Sequence, residues 1–544
     1  MDFSSVSCYI WDMGIYLNPK NDNFLEMVNT GCYVDKTMLI EQTNNRLSDP
    51  TFKFTCISRP RRFGKSIAAD MLVAYYSKGA DSKELFSPYK ISQTPDFEKN
   101  LNKFNVVYID LNAVNNTWKG LDEDKKTDSV IRYVNKIVSE EFRQYFSDID
   151  FGEDDIISLC IQKVYSQKNE KFIIIIDEFD VLIRENICET ELEEYRSFLI
   201  TLFKNSNIKS AISLAYLTGI LPIMKDKIQS KLNTFAPYTM LFAGEFAEFV
   251  GFTSEEVSDL CKKYGVDFDF CKSWYDGYKL EQFEVYNPEA VIKALKTKIF
   301  KSYWSGTSTF EVVAEKIKMN FKGIKEDVVA MLAGEKISVQ VEKYDNTMNG
   351  INSKDDVFTF LIHLGYLAYD DKIRKCYIPN REIHEEWKKA IEDNADYEVT
   401  NKIIQDSENL LNATLAGDGE TVAEALDKSH YHVTSNLSYN NEKSLQSAIY
   451  LAYIYALNNY IIIKEMPAGR GYADIVYIPF DKTQSAFIVE LKRNGSTETA
   501  LNQIKEKRYF DSLENWHGDI LFVGVNYDEH IKKHECKIEK FVKE

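Results

Sequence analysis

Gly64, Lys65 and Ser66 close the run ISRPRRFGKS (57–66), and those three residue types in that order can bind phosphate. A lysine ammonium reaches the terminal phosphates of a nucleotide, and the hydroxyl after it can ligate Mg²⁺. Backbone N–H groups at a helix start then surround the anion. The usual spacing G-x-x-x-x-G-K-[ST] wants a glycine at 59, but here Arg59, Pro60, Arg61, Arg62 and Phe63 lead into Gly64. By itself the tripeptide also fits a solvated basic turn. Further along, KFIIIIDEFD (171–180) ends an apolar run in Asp177 and Glu178. An aspartate at a strand tip can hold Mg²⁺, and the glutamate after it can orient and activate an attacking water. Thr218, in LTG at the end of another apolar run, can touch the γ-phosphate or that water. Together these parts predict nucleotide binding with Mg²⁺, followed by hydrolysis, with Ser66 and Asp177 on the metal and Glu178 as the catalytic carboxylate.

A second group lies near the other end. Asp474 reads as opening a strand and is followed sixteen residues later by Glu490, Leu491 and Lys492. Side chains alternate on a strand, so Glu490 and Lys492 share a face. Two carboxylates there could hold Mg²⁺, or Mn²⁺ in its place, and the metal lowers the pKa of a bound water. The lysine would steady that water or the phosphate charge. D…ExK is short, and a plain amphipathic hairpin also fits it. Glu442, at the start of the preceding helical stretch, offers another acidic ligand. Gln503 and Tyr509 form Q-x-x-x-x-x-Y on the helix that follows. Arg470, Lys492, Arg493, Lys505, Lys507 and Arg508 make a local cationic cluster suited to phosphate contact, although a solvated helix face explains Lys505 and Lys507 equally well.

Elements of definite kinds must position these residues. FKFTCI (52–57), NVVYIDLN (105–112), KFIIIIDEFD and ISLAYLTGIL (212–221) read as buried strands separated by helices, which predicts a parallel α/β sheet. A parallel sheet binds ligands at the strands' carboxyl ends, where the chemistry-bearing residues stand. From about residue 250, GFTSEEVSDLCKKYG reads as a helix capped by Thr253 or Ser254. A mostly helical stretch reaches about residue 430. There, His430 and His432 read as loop or strand residues and not as metal ligands. The last unit reads as a long helix (441–458), strands in YIIIKEM, ADIVYIP and SAFIVELK joined in part by a loop PAGRGY, the helix TETALNQIKEKRYFDSL, and LFVGVNY as a final strand.

At this point the sequence resembles the AAA-ATPase-like family, a bacterial group of AAA+-related P-loop proteins. The similar pieces are YVDKT (33–37), RPRRFGKS (59–66), IDEFD (176–180), LTGILPI (217–223), GFTSEEV (251–257), WYDGY, YNP and SYWSGTS. In that family the loop itself reads RPRRFGKS. The resemblance implies that Arg59, Arg61, Arg62, Phe63, Gly64, Lys65 and Ser66, with Asp177 and Thr218, form the nucleotide site beneath a helical lid. The sequence departs from the family after LTGILPI, where it reads KIQSKLNTF. GRGYADIVYIP with IVELK resembles the PD-(D/E)xK nuclease-like domain often fused to this family. That resemblance implies an α-β-β-β-α-β core centred on Asp474, Glu490 and Lys492. The expected domains are 1–248 (P-loop ATPase), 249–310 (lid), 311–434 (connecting, mostly helical) and 435–544 (nuclease-like).

Composition bounds the remaining expectations. The net charge of -18, from 66 basic and 84 acidic residues, excludes nucleic-acid binding by overall charge and leaves local patches or bound metal. Nine scattered cysteines without C-x-x-C pairs suit reduced thiols in the cytoplasm. No apolar segment reaches membrane-spanning length. The expected partners are nucleic acid, DNA in preference to RNA, and further copies of the chain. Arg184 and Arg196 could each act as an arginine finger, but they read better as surface salt-bridging residues. A nucleotide-dependent switch whose nuclease-like fold binds without cutting fits the same features, and a metabolic kinase would need a substrate pocket not evident in the sequence.

Overall fold

The computed structural model describes residues 14–541 except 186, 224–233, 305–308, 344–350, 393, 434–441, 469–470, 482, 514–515 and 517. The chain divides into two compact units. One contains residues 1–265, 276–299 and 340–372; the other contains 266–275, 300–339 and 373–544.

The first unit is built on a five-stranded sheet in the order β2-β3-β4-β1-β5. The strands are β1 (Phe54–Ser58), β2 (Asn105–Asp110), β3 (Phe172–Asp177), β4 (Ile212–Gly219) and β5 (Ala236–Tyr238). Every pairing is parallel. β1, β3 and β4 are buried along their whole length, as their continuous apolar runs require when helices cover both faces. The four expected strands all form. β5 was not expected, because APY is too short to carry a periodic signal.

The strand order matters for the site. β4 lies between β1 and β3, so the GKS loop after β1 faces the end of β4 and then the end of β3. Register places Ile57 beside Thr218 and Ser58 beside Gly219, while Asp110 stands beside Asp177. After the sheet, Thr253 caps the helix Ser254–Tyr264 in a capping box with Glu256, as its sequence suggested. A small antiparallel sheet follows, β6 (Phe252–Thr253), β7 (Tyr278–Leu280) and β8 (Phe283–Tyr286), in the order β6-β8-β7. Asn287 caps the next helix, Pro288–Thr297, with proline in its first turn.

The second unit carries helices Thr309–Ile317, Ile324–Leu332, Arg381–Glu392, Glu398–Leu415 and Gly419–Val433 before its sheet. His430 and His432 lie in the last turn of Gly419–Val433, so the loop or strand expected there is a helix. The sheet has five strands in sequential order: Tyr460–Ala468, Gly471–Pro479, Ala486–Arg493, Ile520–Asp528 and Lys533–Phe541. Three of its pairings are antiparallel and the third-to-fourth pairing is parallel, crossed by the helix Thr497–Glu506.

Three sequence expectations change here. LFVGVNY is not the last strand: Lys533–Phe541 pairs along nine positions with the strand that contains it, its alternating charges having hidden an edge strand. PAGRGY is mostly strand, not loop, since only residues 469–470 separate the first two strands. Asp474 lies inside the second strand instead of opening it. Ile475, Tyr477, Phe487, Val489 and Val523 pack beneath one face of the sheet, and Val476, Ile488, Leu501, Ile504 and Phe522 pack on the other.

Candidate functional site

Backbone geometry sets the loop before Lys65. Gly64 has φ +88° and Arg62 φ +69°, two left-handed residues that turn the chain from β1 into the helix Lys65–Tyr76. A side chain at Gly64 would meet nothing within 4 Å, so glycine is needed there for its conformation and not for space. Lys65 is buried, and its Nζ donates to the Pro60 carbonyl at 2.9 Å. Burial pushes its pKa down, while the carboxylates of Glu178, Asp177 and Asp180 pull it back up.

Asp177 gathers the expected partners. Its Oδ1 accepts from the Thr218 hydroxyl and from the Glu178 N–H at 3.0 Å, and the Ser66 hydroxyl lies near the same carboxylate. Its Oδ2 is buried without a hydrogen-bond partner. Burial raises the Asp177 pKa, against those hydrogen bonds and the nearby Lys65 charge. A divalent cation fits this donor set: one hydroxyl, one carboxylate, and an acceptor atom left unsatisfied.

Two expected nucleotide contacts are corrected. Arg59 is fully buried, and its guanidinium donates to the carbonyls of Ser58 (2.9 Å), Tyr238 (3.3 Å) and Phe246 (3.5 Å), so it braces the sheet end instead of facing a phosphate. Phe63 is also buried, edge-on to Tyr278 with ring centroids 5.4 Å apart. Only its backbone remains for a ligand. Arg62 pairs with Glu289 of the helix Pro288–Thr297 at 3.4 Å, and Arg61 is exposed. The departing segment KIQSKLNTF falls largely outside the described residues.

Arg184 forms ion pairs, as expected, but half-buried ones: one terminal nitrogen pairs with Glu178 and Nε pairs with Asp180 Oδ2 at 3.0 Å. Arg196 is buried, held by Glu189 at 2.9 Å and Glu193 at 2.7 Å. Sequence reasoning passed over Asp180, although it stands four residues before Arg184, the helical spacing at which such pairs meet.

In the second unit, Ile475 pairs with Val489 and Val476 with Ile488. One further step of that antiparallel register sets Asp474 across from Glu490, on one face of the sheet. The Leu491 N–H donates to Asp474 Oδ2 at 2.8 Å, tying the two strands at the acidic pair. Lys492 Nζ donates to Glu490 Oε1 at 2.9 Å, and Glu490 Oε2 is buried without a partner. Burial, then the Asp474 charge, pushes the Glu490 pKa up to about 7 despite Lys492. Two facing carboxyls, one with an unsatisfied oxygen, again suit a divalent cation. Among the described residues no group of three or more acidic, histidine or cysteine side chains converges. Glu442 opens the helix Glu442–Ala452, and its side chain lies outside the described residues, as does Arg470. From that helix Gln446, a residue the sequence did not single out, donates to the Asp474 carbonyl at 2.6 Å.

Tyr509 is not on the helix expected to carry it. That helix ends at Glu506, Arg508 takes φ +54°, and Tyr509 begins a 3₁₀ turn. On one continuous helix, residues six apart point about 120° away from each other. The break is what lets Gln503 Nε2 donate to the Tyr509 hydroxyl at 3.0 Å. Burial, and with it the charges of Glu490 and Asp474, raises the Tyr509 pKa. Arg493, Lys505 and Arg508, members of the cationic cluster read from sequence, pair with Glu529, Glu539 and Asp511.

Residues 21–229 match the family described as predicted AAA-ATPase, AAA-ATPase-like. Residues 440–537 match the PD-(D/E)XK nuclease superfamily. A curated relative, an uncharacterized protein in the vnfD 5' region of Azotobacter chroococcum mcd 1, is 25% identical over 308 residues. That match covers 55% of this chain and 55% of the relative, so the chain spans about half the length of the curated protein it matches. Among solved structures, the Aeropyrum pernix ORC2 protein (ADPNP-ADP complexes) aligns at 11% identity over 66% of this chain and 93% of its own, with a TM-score of 0.28. The Aeropyrum pernix ORC1 protein in complex with DNA aligns at 10% identity over 92% of this chain and 100% of its own, with a TM-score of 0.21. Scores this low carry no functional argument. Among the described residues no helix is long and apolar enough to cross a membrane.

Proposed function

We propose, for a chain that joins an AAA-ATPase-like domain to a PD-(D/E)XK nuclease superfamily domain, that it hydrolyses ATP at one centre and cuts nucleic-acid phosphodiester bonds at the other. One observation, common to both centres, supports this most. Each has a buried carboxylate oxygen without a hydrogen-bond partner, Asp177 Oδ2 in one and Glu490 Oε2 in the other, with a lysine close by. An unsatisfied buried acceptor costs about 1–3 kcal/mol, a cost that a bound cation removes.

Ser66 and Asp177 would hold Mg²⁺ at the first centre, and Asp474 and Glu490 would hold Mg²⁺ or Mn²⁺ at the second. Bound there, the ion neutralises phosphate charge and lowers the pKa of a coordinated water. The protein's own residues do the rest. Lys65 exchanges the Pro60 carbonyl for the nucleotide's terminal phosphates, and Thr218 keeps Asp177 fixed. Glu178 orients the attacking water and accepts its proton. At the second centre Lys492 balances charge on the scissile phosphate, while Gln503 and Tyr509 bound the site on one side. DNA is the expected substrate in preference to RNA, the working form is a homo-oligomer, and defence or mobile-element biology is the setting that the architecture suggests.

The test is cleavage of single- and double-stranded DNA and RNA in Mg²⁺ or Mn²⁺, with and without ATP, by wild type, Asp474→Ala and Lys492→Ala. Wild-type cutting that both substitutions abolish supports the reading. A wild type that cuts nothing under any of these conditions sinks the nuclease half. The strongly acidic chain, net charge -18, favours a second reading: a nucleotide-dependent switch or assembly protein whose nuclease-like domain binds without cutting. ATP-dependent change in oligomer size without phosphodiesterase activity would select it.

A further inference from the structure

The guanidinium of Arg184 joins two stretches of chain that meet at the hydrolytic centre. It pairs with Glu178 and, through Nε, with Asp180 Oδ2 at 3.0 Å. Asp180 is fully buried, and its carboxylate accepts the N–H groups of Ile220 (3.1 Å) and Leu221 (2.8 Å), just beyond Thr218. The turn between Asp177 and Arg184 is pinned from other sides as well. The Tyr195 hydroxyl donates to the Phe179 carbonyl, and the Phe179 N–H donates to the Thr218 carbonyl at 2.9 Å. Gly219 sits so close that an added Cβ would stand 2.6 Å from Phe179 Cε1 and 2.7 Å from Asp180 Oδ1. Glu178 itself has φ +52°, a left-handed backbone that fixes where its side chain leaves the turn.

We infer that Arg184 is a positioning residue for Glu178, holding one carboxylate oxygen so that the other is presented to the attacking water, and tying it through Asp180 to the loop after Thr218. A carboxylate on a flexible stem has several rotamers, and only one of them serves a given water. A planar guanidinium with donors in a fixed fork selects that rotamer by engaging two carboxylates at once. Lysine, a single point charge, cannot span both in the same way. The tie to residues 218–221 means that a rearrangement at the γ-phosphate end of β4 reaches Glu178 through hydrogen bonds and not through the solvent. Arg184 is therefore spent within its own chain and is not available as a finger to another.

This inference rests on the ATP-hydrolysis reading, and one experiment separates the two. Steady-state ATP turnover and equilibrium ATP binding are measured on the full chain for wild type, Glu178→Gln, Arg184→Ala and Arg184→Lys. The expected pattern is loss of turnover in Glu178→Gln with ATP binding retained. Arg184→Ala then lowers kcat by roughly 10²-fold, as for a misplaced catalytic group, while the ATP Kd stays near that of wild type. Arg184→Lys recovers only part of kcat. Wild-type or raised kcat in Arg184→Ala, with Glu178→Gln inactive, overturns the positioning role alone. Wild-type turnover in Glu178→Gln removes Glu178 as the catalytic carboxylate and the positioning role with it, whereas no turnover in wild type removes the hydrolytic reading itself. Should Arg184→Ala not fold, Arg184→Lys carries the test, since it keeps the charge: full kcat there overturns the inference.

Discussion

Replacing Glu490 with glutamine should make the metal-free protein more stable at alkaline pH and leave acid stability unchanged. Burial and the facing Asp474 hold the Glu490 pKa at about 7, against an ordinary value of 4.5. Below about pH 4 the side chain is protonated in both folded and unfolded chains and contributes nothing to pH dependence. Between the two values the unfolded chain ionises first, so folding stability falls as pH rises. Above about pH 7 both forms are ionised and the cost is complete, about 3 kcal/mol for this displacement. Glutamine removes that cost, the attraction of Lys492 being already contained in the raised value. The gain is about 3 kcal/mol at pH 8, or about 9 °C in Tm for a unit of this size. Differential scanning calorimetry in EDTA at pH 4 and pH 8 reads it directly. Adding Mg²⁺ at pH 8 should then raise the wild-type transition and leave Glu490→Gln unmoved, because ligand binding to the native state stabilises it. A variant no more stable than wild type at pH 8, or an equal Mg²⁺ response in both, would refute the reasoning.

Gly219→Ala should cost about 1–3 kcal/mol by overpacking Phe179 and Asp180, and it should lower ATP turnover more than ATP affinity; denaturation and steady-state kinetics check both halves. Arg59→Met should destabilise the first unit by about 2–3 kcal/mol, because three buried carbonyls lose their donor, while the ATP Kd of the folded fraction is unchanged. Lys65→Ala should weaken ATP binding by roughly 100-fold, the worth of a charge-assisted contact, as read by equilibrium dialysis.

Much of the first unit was legible because its strands are continuous apolar runs, a pattern that only a sheet covered on both faces produces. IIIIDEFD needed no tertiary information to be read as a strand with acids at its tip. The same directness failed for APY and for KHECKIEKF, where short length or alternating charge hides a strand that is recruited by its neighbours. Arg59 was misread because a run of arginines beside a phosphate loop looks uniform in sequence, although one of them points inward to carbonyl groups. Arg184 was read as an ion-pairing residue, and it is one, but its partners were hidden for a related reason: a long side chain chooses its partners in space, and the burial of Asp180 is not written in its neighbours.

By itself, the sequence determined most of the strands and which of their residues carry chemistry, since periodicity records burial along one dimension. It thereby determined that Lys65, Asp177, Glu490 and Lys492 could each do chemistry. Only the tertiary structure decided what stands next to what. Inserting β4 between β1 and β3 brings Thr218 onto Asp177, and antiparallel register sets Asp474 opposite Glu490. The left-handed turn at Arg508 swings Tyr509 back to Gln503. Strand order, register and a single backbone turn are settled by packing among distant segments, and no local pattern encodes them.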